Sequence, residues 1–110
     1  MDSRLIYSSS AGLKHKINWR KAEGEEWIYY GNGNEVKKDL VIQKIQEHFN
    51  NKILYVAFTR EGSFITDTEN VIERIESILG ISDFLIWDSK FKSAMEFSYI
   101  GVLRVGEIST

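Results

Sequence analysis

Residues 53–59 read ILYVAFT, and every position but the last is apolar. Successive side chains of a strand point to opposite faces, so a segment apolar at both odd and even positions needs cover on both sides of its sheet. Its β-branched and aromatic residues fit a pleated surface. This segment is expected to be an interior strand on which the rest of the fold is assembled.

Outward from it, toward the C-terminus, Glu61 and Gly62 mark a turn that leads through Phe64 and Ile65 to Thr66. Thr66 and Glu69 have the spacing of a capping box. Val71, Ile72, Ile75, Ile78 and Leu79 then repeat at helical intervals, and Gly80 stands where a left-handed C-cap is wanted, which predicts a helix. Phe84–Trp87 reads as a short strand and Phe97–Val105 (FSYIGVLRV) as a longer one. The charged stretch Asp88–Lys92 between them predicts that the two pair as a hairpin.

Toward the N-terminus, Val36, Leu40, Val41, Ile45 and Phe49 form the apolar stripe of another helix. The breakers Gly31, Asn32, Gly33 and Asn34 precede it, with Asn34 as N-cap and Glu35 in the first turn, and Asn50 and Asn51 end it. Leu13, His15, Ile17 and Trp19 alternate with Lys14, Lys16 and Asn18, the period of a half-buried strand. Trp27–Tyr30 is its expected partner, across a polar Arg20–Glu26 loop containing Gly24. Leu5–Tyr7, closed by Ser8, Ser9, Ser10 and Gly12, reads as a first strand. The element order predicts an α+β fold: one mixed or mostly antiparallel sheet with two helices packed against it.

A chain of 110 residues, 43% hydrophobic and 27% charged, is the size and composition of one globular domain, 1–110, able to bury its own core. There is no proline, repeat or low-complexity tract to mark a boundary. The absence of cysteine removes thiol chemistry and disulfides, which points to a reducing, cytoplasmic setting. The N-terminus, with Asp2 and no apolar segment of signal-peptide length, does not predict export. The longest apolar run, Ile53–Phe58, is far short of the roughly 20 residues of a membrane helix, so no membrane association is expected.

The net charge of −2 argues against nucleic acid as a partner. Its distribution says more. From Glu61 to Asp88 there are seven acids against one base, Arg74, a charge of −6 that leaves +4 for the remainder. On a helix, Glu69, Glu73 and Glu76 project within roughly 60° of one another, and Asp67, Asp83 and Asp88 lie close in sequence. Like charges so spaced cost about 0.2–0.5 kcal/mol per pair, and a basic partner would relieve that cost. An ordinary solvated helix face accounts for the same pattern without any partner.

Catalytic and metal chemistry find little support. The only histidines, His15 and His48, have no ligand partner at helical or hairpin spacing, so neither a metal nor a cofactor is expected. Two imidazoles can serve as acid and base in metal-independent RNA cleavage, which makes a small ribonuclease using His15 and His48 an alternative function. The bland reading of each is structural. GNGN at 31–34 lacks the glycine spacing and lysine of phosphate-binding loops and reads as a turn, and Glu25 with Glu26 as solvated loop acids. Trp19, Trp27, Tyr29 and Tyr30 lack the basic groove of a stacking platform, and an exposed Tyr29 beside charged residues suits a protein-interface anchor.

The acidic segment TDTENVIERIESILGISDFLIWD at 66–88, in a short cysteine-free chain without a catalytic motif, resembles the small bacterial immunity proteins of polymorphic and contact-dependent growth-inhibition toxin systems. The resemblance is one of type and transfers no residue by position. It implies a cytoplasmic, non-enzymatic monomer that forms a 1:1 heterodimer with a cognate toxin domain, often a nuclease. A nuclease is basic where it holds phosphate, so the expected partner-binding residues are Asp67, Glu69, Glu73, Glu76, Asp83, Asp88 and Tyr29. A non-catalytic subunit of a larger assembly is the remaining alternative, and would instead show a large apolar patch.

Overall fold

The computed structural model describes residues 1–21, 26–31, 35–50 and 53–109. The expected interior strand is there as β3, Ile53–Ala57. It lies between β4, Phe64–Asp67, and β5, Phe84–Asp88, and the sheet continues through β6, Ser93–Ser98, and β7, Val102–Ile108. β1, Ile17–Trp19, and β2, Ile28–Tyr29, complete the seven strands found among the described residues, in the order β1-β7-β6-β5-β3-β4, with β2 also on β7. Every pairing is antiparallel.

Both faces of this sheet are covered. On the first face, Leu54, Val56, Phe84, Ile86, Met95, Phe97 and Leu103 pack against α2, Lys38–His48, and α3, Val71–Ile75. Phe84 and Phe97, opposite each other in the β5–β6 register, stack at 4.5 Å. On the second face, Ala57, Trp87 and Ala94 pack under α1, Ser3–Leu13, chiefly through Ile6 and Leu13. The alternation of Leu54 and Val56 with Tyr55 and Ala57 between the two clusters is the reason ILYVA carries no polar side.

The α+β class, the antiparallel sheet and the β5–β6 hairpin follow the sequence, while several local readings do not. Leu5–Tyr7 is not a strand. It lies inside α1, whose first turn is capped by the Asp2 carboxylate accepting from Leu5 N at 2.9 Å, so among the described residues three α-helices flank the sheet instead of two. Serines 8–10 disguise this helix, because serine competes for backbone hydrogen bonds and favours turns. A tertiary bond compensates, since Ser10 Oγ accepts from Trp87 Nε1 at 2.8 Å in the interior.

β1 and β2 do not pair with each other. They lie end to end along β7, Ile17 opposite Ile108 and Ile28 opposite Leu103, with Arg20 N donating to Val105 O between them. Both run antiparallel to β7 and hence in the same direction, so they do not form the expected hairpin. His15 stands exposed in the 3-10 turn Lys14–Lys16 and not on a strand's inner face. The run Phe97–Val105 is broken by a turn at Tyr99–Gly101, and β5's partner begins earlier, at Ser93.

Thr66 is buried in β4 opposite Leu54 and does not cap α3. No side chain caps α3; Asp67 instead closes the turn that leads into it, its Oδ1 accepting from Glu69 N at 3.0 Å and Asn70 N at 2.8 Å. α3 is five residues long and passes into turns before Gly80, which has the expected positive φ of 71°. α2 begins after Lys37, and Asn34, the expected cap, lies outside the described residues with Asn32, Gly33, Gly24, Glu25 and Asn51.

The β1–β7 edge requires Gly106. A Cβ there would meet Asn18 O at 2.5 Å and Ile17 Cγ2 at 2.6 Å, whereas a Cβ at Gly12 in α1 meets nothing within 4 Å. Gly106→Ala is expected to destabilise the protein by about 1–3 kcal/mol and Gly12→Ala to stabilise it by about 0.5–1 kcal/mol, both read from urea midpoints. Equal midpoints for the two variants would contradict this packing.

Candidate functional site

The expected partner-binding residues fall into two groups. Asp88 is buried at the end of β5, where Oδ1 accepts from Lys92 N at 2.7 Å and Ser93 N at 3.0 Å and so closes the β5–β6 turn. Asp67 is held by Asn70 through side chain and backbone, which keeps its carboxyl below the ordinary range. Glu76 is paired with Lys38 of α2. These three are engaged in the fold, and Asp88 offers nothing to a partner.

Glu69, Glu73 and Asp83 are exposed and make no ion pair among the described residues. Asp83 Oδ1 accepts one hydrogen bond, from Tyr99 N at 2.8 Å. Because α3 is short, only Glu73 of the three glutamates is on a helix, and the expected helical face of three acids does not form. Asp67 lies opposite Ile53 at one end of β3, whereas Asp83 precedes β5 at the end where Leu85 is opposite Ala57. The carboxylates are thus strung along the sheet and not gathered. Tyr29 is exposed, as an anchor requires, on β2 beside Lys37, whose ammonium lies 5.8 Å from its ring.

Sequence reasoning missed the most elaborate polar cluster. Arg104 of β7 lies between the rings of Trp19 at 4.0 Å and Trp27 at 4.3 Å, and pairs with Glu96 and Glu26 at 2.7 and 2.5 Å. Glu96 and Arg104 are opposite one another in the β6–β7 register. The signal was a charged pair inside an apolar hairpin, legible only once the register is known. The cluster ties Trp19, Glu26 and Trp27 to β7, and its single guanidinium serves two carboxylates, which leaves it a net charge of −1.

His48 closes α2 with its ring turned onto the sheet. Nε2 lies 3.0 Å from Ala94 O and 3.2 Å from Gly106 O, so Nε2 carries the proton and donates to both. Burial, then the nearby Arg20 charge, push its pKa down, opposed by those carbonyls and Asp88. The hollow beside it, of about 210 Å³, holds Arg20, Lys44 and Glu47, but Arg20 pairs with Glu107 and Lys44 with Glu47. His15 follows the helix on the other face. The structure does not bring the two imidazoles to one bond. Among the described residues there is no grouping of three His, Asp or Glu side chains fit to hold a metal, and no helix is long and apolar enough to cross a membrane.

Apolar groups stand exposed at the end of the sheet that carries Asp83: Ile81, Tyr99 and Ile100, with Tyr29 near them. The sequence concealed them, since Tyr99 and Ile100 look like strand interior in FSYIGVLRV. The Tyr30 hydroxyl joins their backbones, donating to Ser98 O at 3.3 Å and accepting from Gly80 N at 3.1 Å. Burial, ahead of the Asp83 charge, raises its pKa, while the Gly80 bond opposes the rise.

No protein-family model matches the chain, and no curated protein or solved structure matches it.

Two measurements follow. A depressed imidazole pKa in the folded state means that the unfolded chain takes up the proton first, so His48 withdraws stability as pH falls below about 6.5. The stability difference between the native protein and His48→Gln, from urea unfolding, should shift toward the variant between pH 7.5 and 5.5; a constant difference removes this role. Arg104→Met should destabilise by about 1–3 kcal/mol, since it strands two carboxylates and empties the space between two indoles. Unchanged unfolding would show the clamp to be inert.

Proposed function

We propose that this chain is an immunity protein, a non-catalytic cytoplasmic monomer that binds a cognate toxin domain one-to-one and blocks it. The observation that carries the reading is the trio Glu69, Glu73 and Asp83, exposed and without ion pairs among the described residues, on a chain whose other acids are largely engaged in salt bridges and caps. Uncompensated carboxylates on a protein of net charge −2 attract a basic surface and speed encounter with it. A toxin domain that handles phosphate has such a surface.

A second reading, a subunit of a larger assembly, draws on the sheet edge. β4 is a terminal strand, and Ile65 on it and Ile53 on β3 are exposed. Exposed strand edges with apolar side chains invite pairing. Mass measured by light scattering over a range of concentrations separates the two readings, because the immunity reading expects a monomer throughout.

The proposal expects a secreted protein with a toxic C-terminal domain to be encoded beside this chain's gene, and the decisive experiment uses that domain; its absence there counts against the proposal. Co-expression should restore growth, and the purified pair should associate with a rate constant that falls about tenfold from 0.05 to 0.5 M salt. Glu69→Lys with Glu73→Lys should slow association by about tenfold and change dissociation little. Failure to bind, or an association rate indifferent to salt, overturns the proposal.

A further inference from the structure

The two faces of the sheet are covered unequally. On the first face, α2 contributes the buried Val41 and Ile45, and α3 the buried Val71 and Ile75, to a core that also holds Phe84, Ile86 and Phe97. On the second face, α1 buries one apolar residue, Ile6, with Leu13 partly covered, and the sheet beneath it offers two alanines, Ala57 and Ala94, beside Trp87. Leu5 and Tyr7, the other large apolar residues of this helix, are 54% and 40% exposed. Burial of apolar surface is what holds a helix to a sheet, so α1 is the most weakly seated of the three α-helices described.

The helix is also weak in itself. SRLIYSSSAGL has serine at 3, 8, 9 and 10 and glycine at 12, residue types that favour other backbone conformations. Its ion pair to the β3–β4 turn, Arg4 with Glu61, stands in solvent, where such pairs contribute little. Its seating is incomplete, for a hollow of about 230 Å³ lies against it, with Tyr7, Ala11 and Lys14 on the helix side and Ala57, Leu85 and Glu96 on the sheet side. Atoms that line a gap lose the contacts that would hold them there.

The remaining ties are polar. Ser3 Oγ donates to Arg60 O at 2.8 Å and accepts from Ser63 N at 2.9 Å, and Ser10 Oγ accepts from Trp87 Nε1. Water can replace each of these bonds once the helix moves away, so they cost little to exchange. At the other end of α1 the 3-10 turn Lys14–Lys16, exposed throughout, leads to Ile17, which is fixed opposite Ile108 in the sheet. A short 3-10 turn between two elements is where a hinge is expected.

We infer that α1 is a lid. It lifts from the second face as a unit, turning on Lys14–Lys16, while the sheet, α2 and α3 stay folded. In lifting it uncovers Trp87, Ala57 and Ala94, an apolar surface that the closed protein does not show. Openings of this kind are drawn from the least stable segment of a fold. The lid needs no partner and stands apart from the functional reading above.

The chain has no cysteine, so a single introduced thiol reports on its own position alone. Ala94 and Met95 are neighbours on β6, both 0% exposed, and they project to opposite faces of the sheet. Ala94→Cys and Met95→Cys are each exposed to a small disulfide reagent, and each reaction rate is compared with the rate that the variant's own urea-derived unfolding free energy allows. That comparison removes any difference in stability between the two. Ala94→Cys should react about 30-fold or more faster than global unfolding allows, and Met95→Cys no faster than it allows. Hydrogen exchange on the unaltered chain is the second measurement: amides of 6–13 should open at a lower free energy, and with a weaker urea dependence, than those of β5 and β6. A protected thiol in Ala94→Cys overturns the lid, as does exchange in α1 that matches β5 and β6. An equal excess of reaction in Met95→Cys also overturns it, since the opening would then lie in the sheet.

Discussion

β5 is buried on both of its faces, and the rest of the architecture answers to that constraint. Phe84 and Ile86 project into the cluster under α2 and α3, while Trp87 projects the other way, under α1. An indole enclosed in this manner must satisfy its N–H, and it donates to Ser10 Oγ across 2.8 Å. The bond ties a helix near the N-terminus to the middle of the sheet. It also explains why a serine-rich segment is helical: the helix presents Ile6 and Ser10 to a face that would otherwise leave Trp87 and Ala94 in water.

The charges divide along the same lines. Where strands end or turn, carboxylates close the backbone, Asp88 at the β5–β6 turn and Asp67 before α3. Where the sheet leaves a face partly open, Arg104 with Glu26 and Glu96 covers it, its guanidinium between two indoles. Little of this chemistry is poised to react, because each group meets a fixed partner in the fold. Among the described residues, Glu35, Asp39, Glu69 and Glu73 are exposed without an ion pair, and Ile81, Tyr99 and Ile100 are exposed near Asp83.

The candidate site was therefore half legible. Excess negative charge between Glu61 and Asp88 could be counted in the sequence, as could the absence of thiols. Which of those acids are free could not, since Asp88 and Glu73 look alike until one is found accepting two backbone N–H groups. Tyr99 and Ile100 were read as strand because FSYIGVLRV is apolar throughout, and hydrophobicity cannot tell a strand interior from an exposed turn.

The sequence by itself determined the two-sided strand at 53–57, the apolar stripe of α2, the left-handed backbone at Gly80 and the α+β class, because each rests on periodicity or on a backbone conformation that one residue type favours. Tertiary structure alone decided that 3–13 is a helix, that β1 and β2 share one edge of β7 instead of pairing, and that α3 stops after five residues. Those outcomes depend on partners distant in the chain: Trp87 for Ser10, Val105 for Arg20, Lys38 for Glu76. Local pattern reports which side of an element is apolar, and only the assembled sheet reports what that side meets.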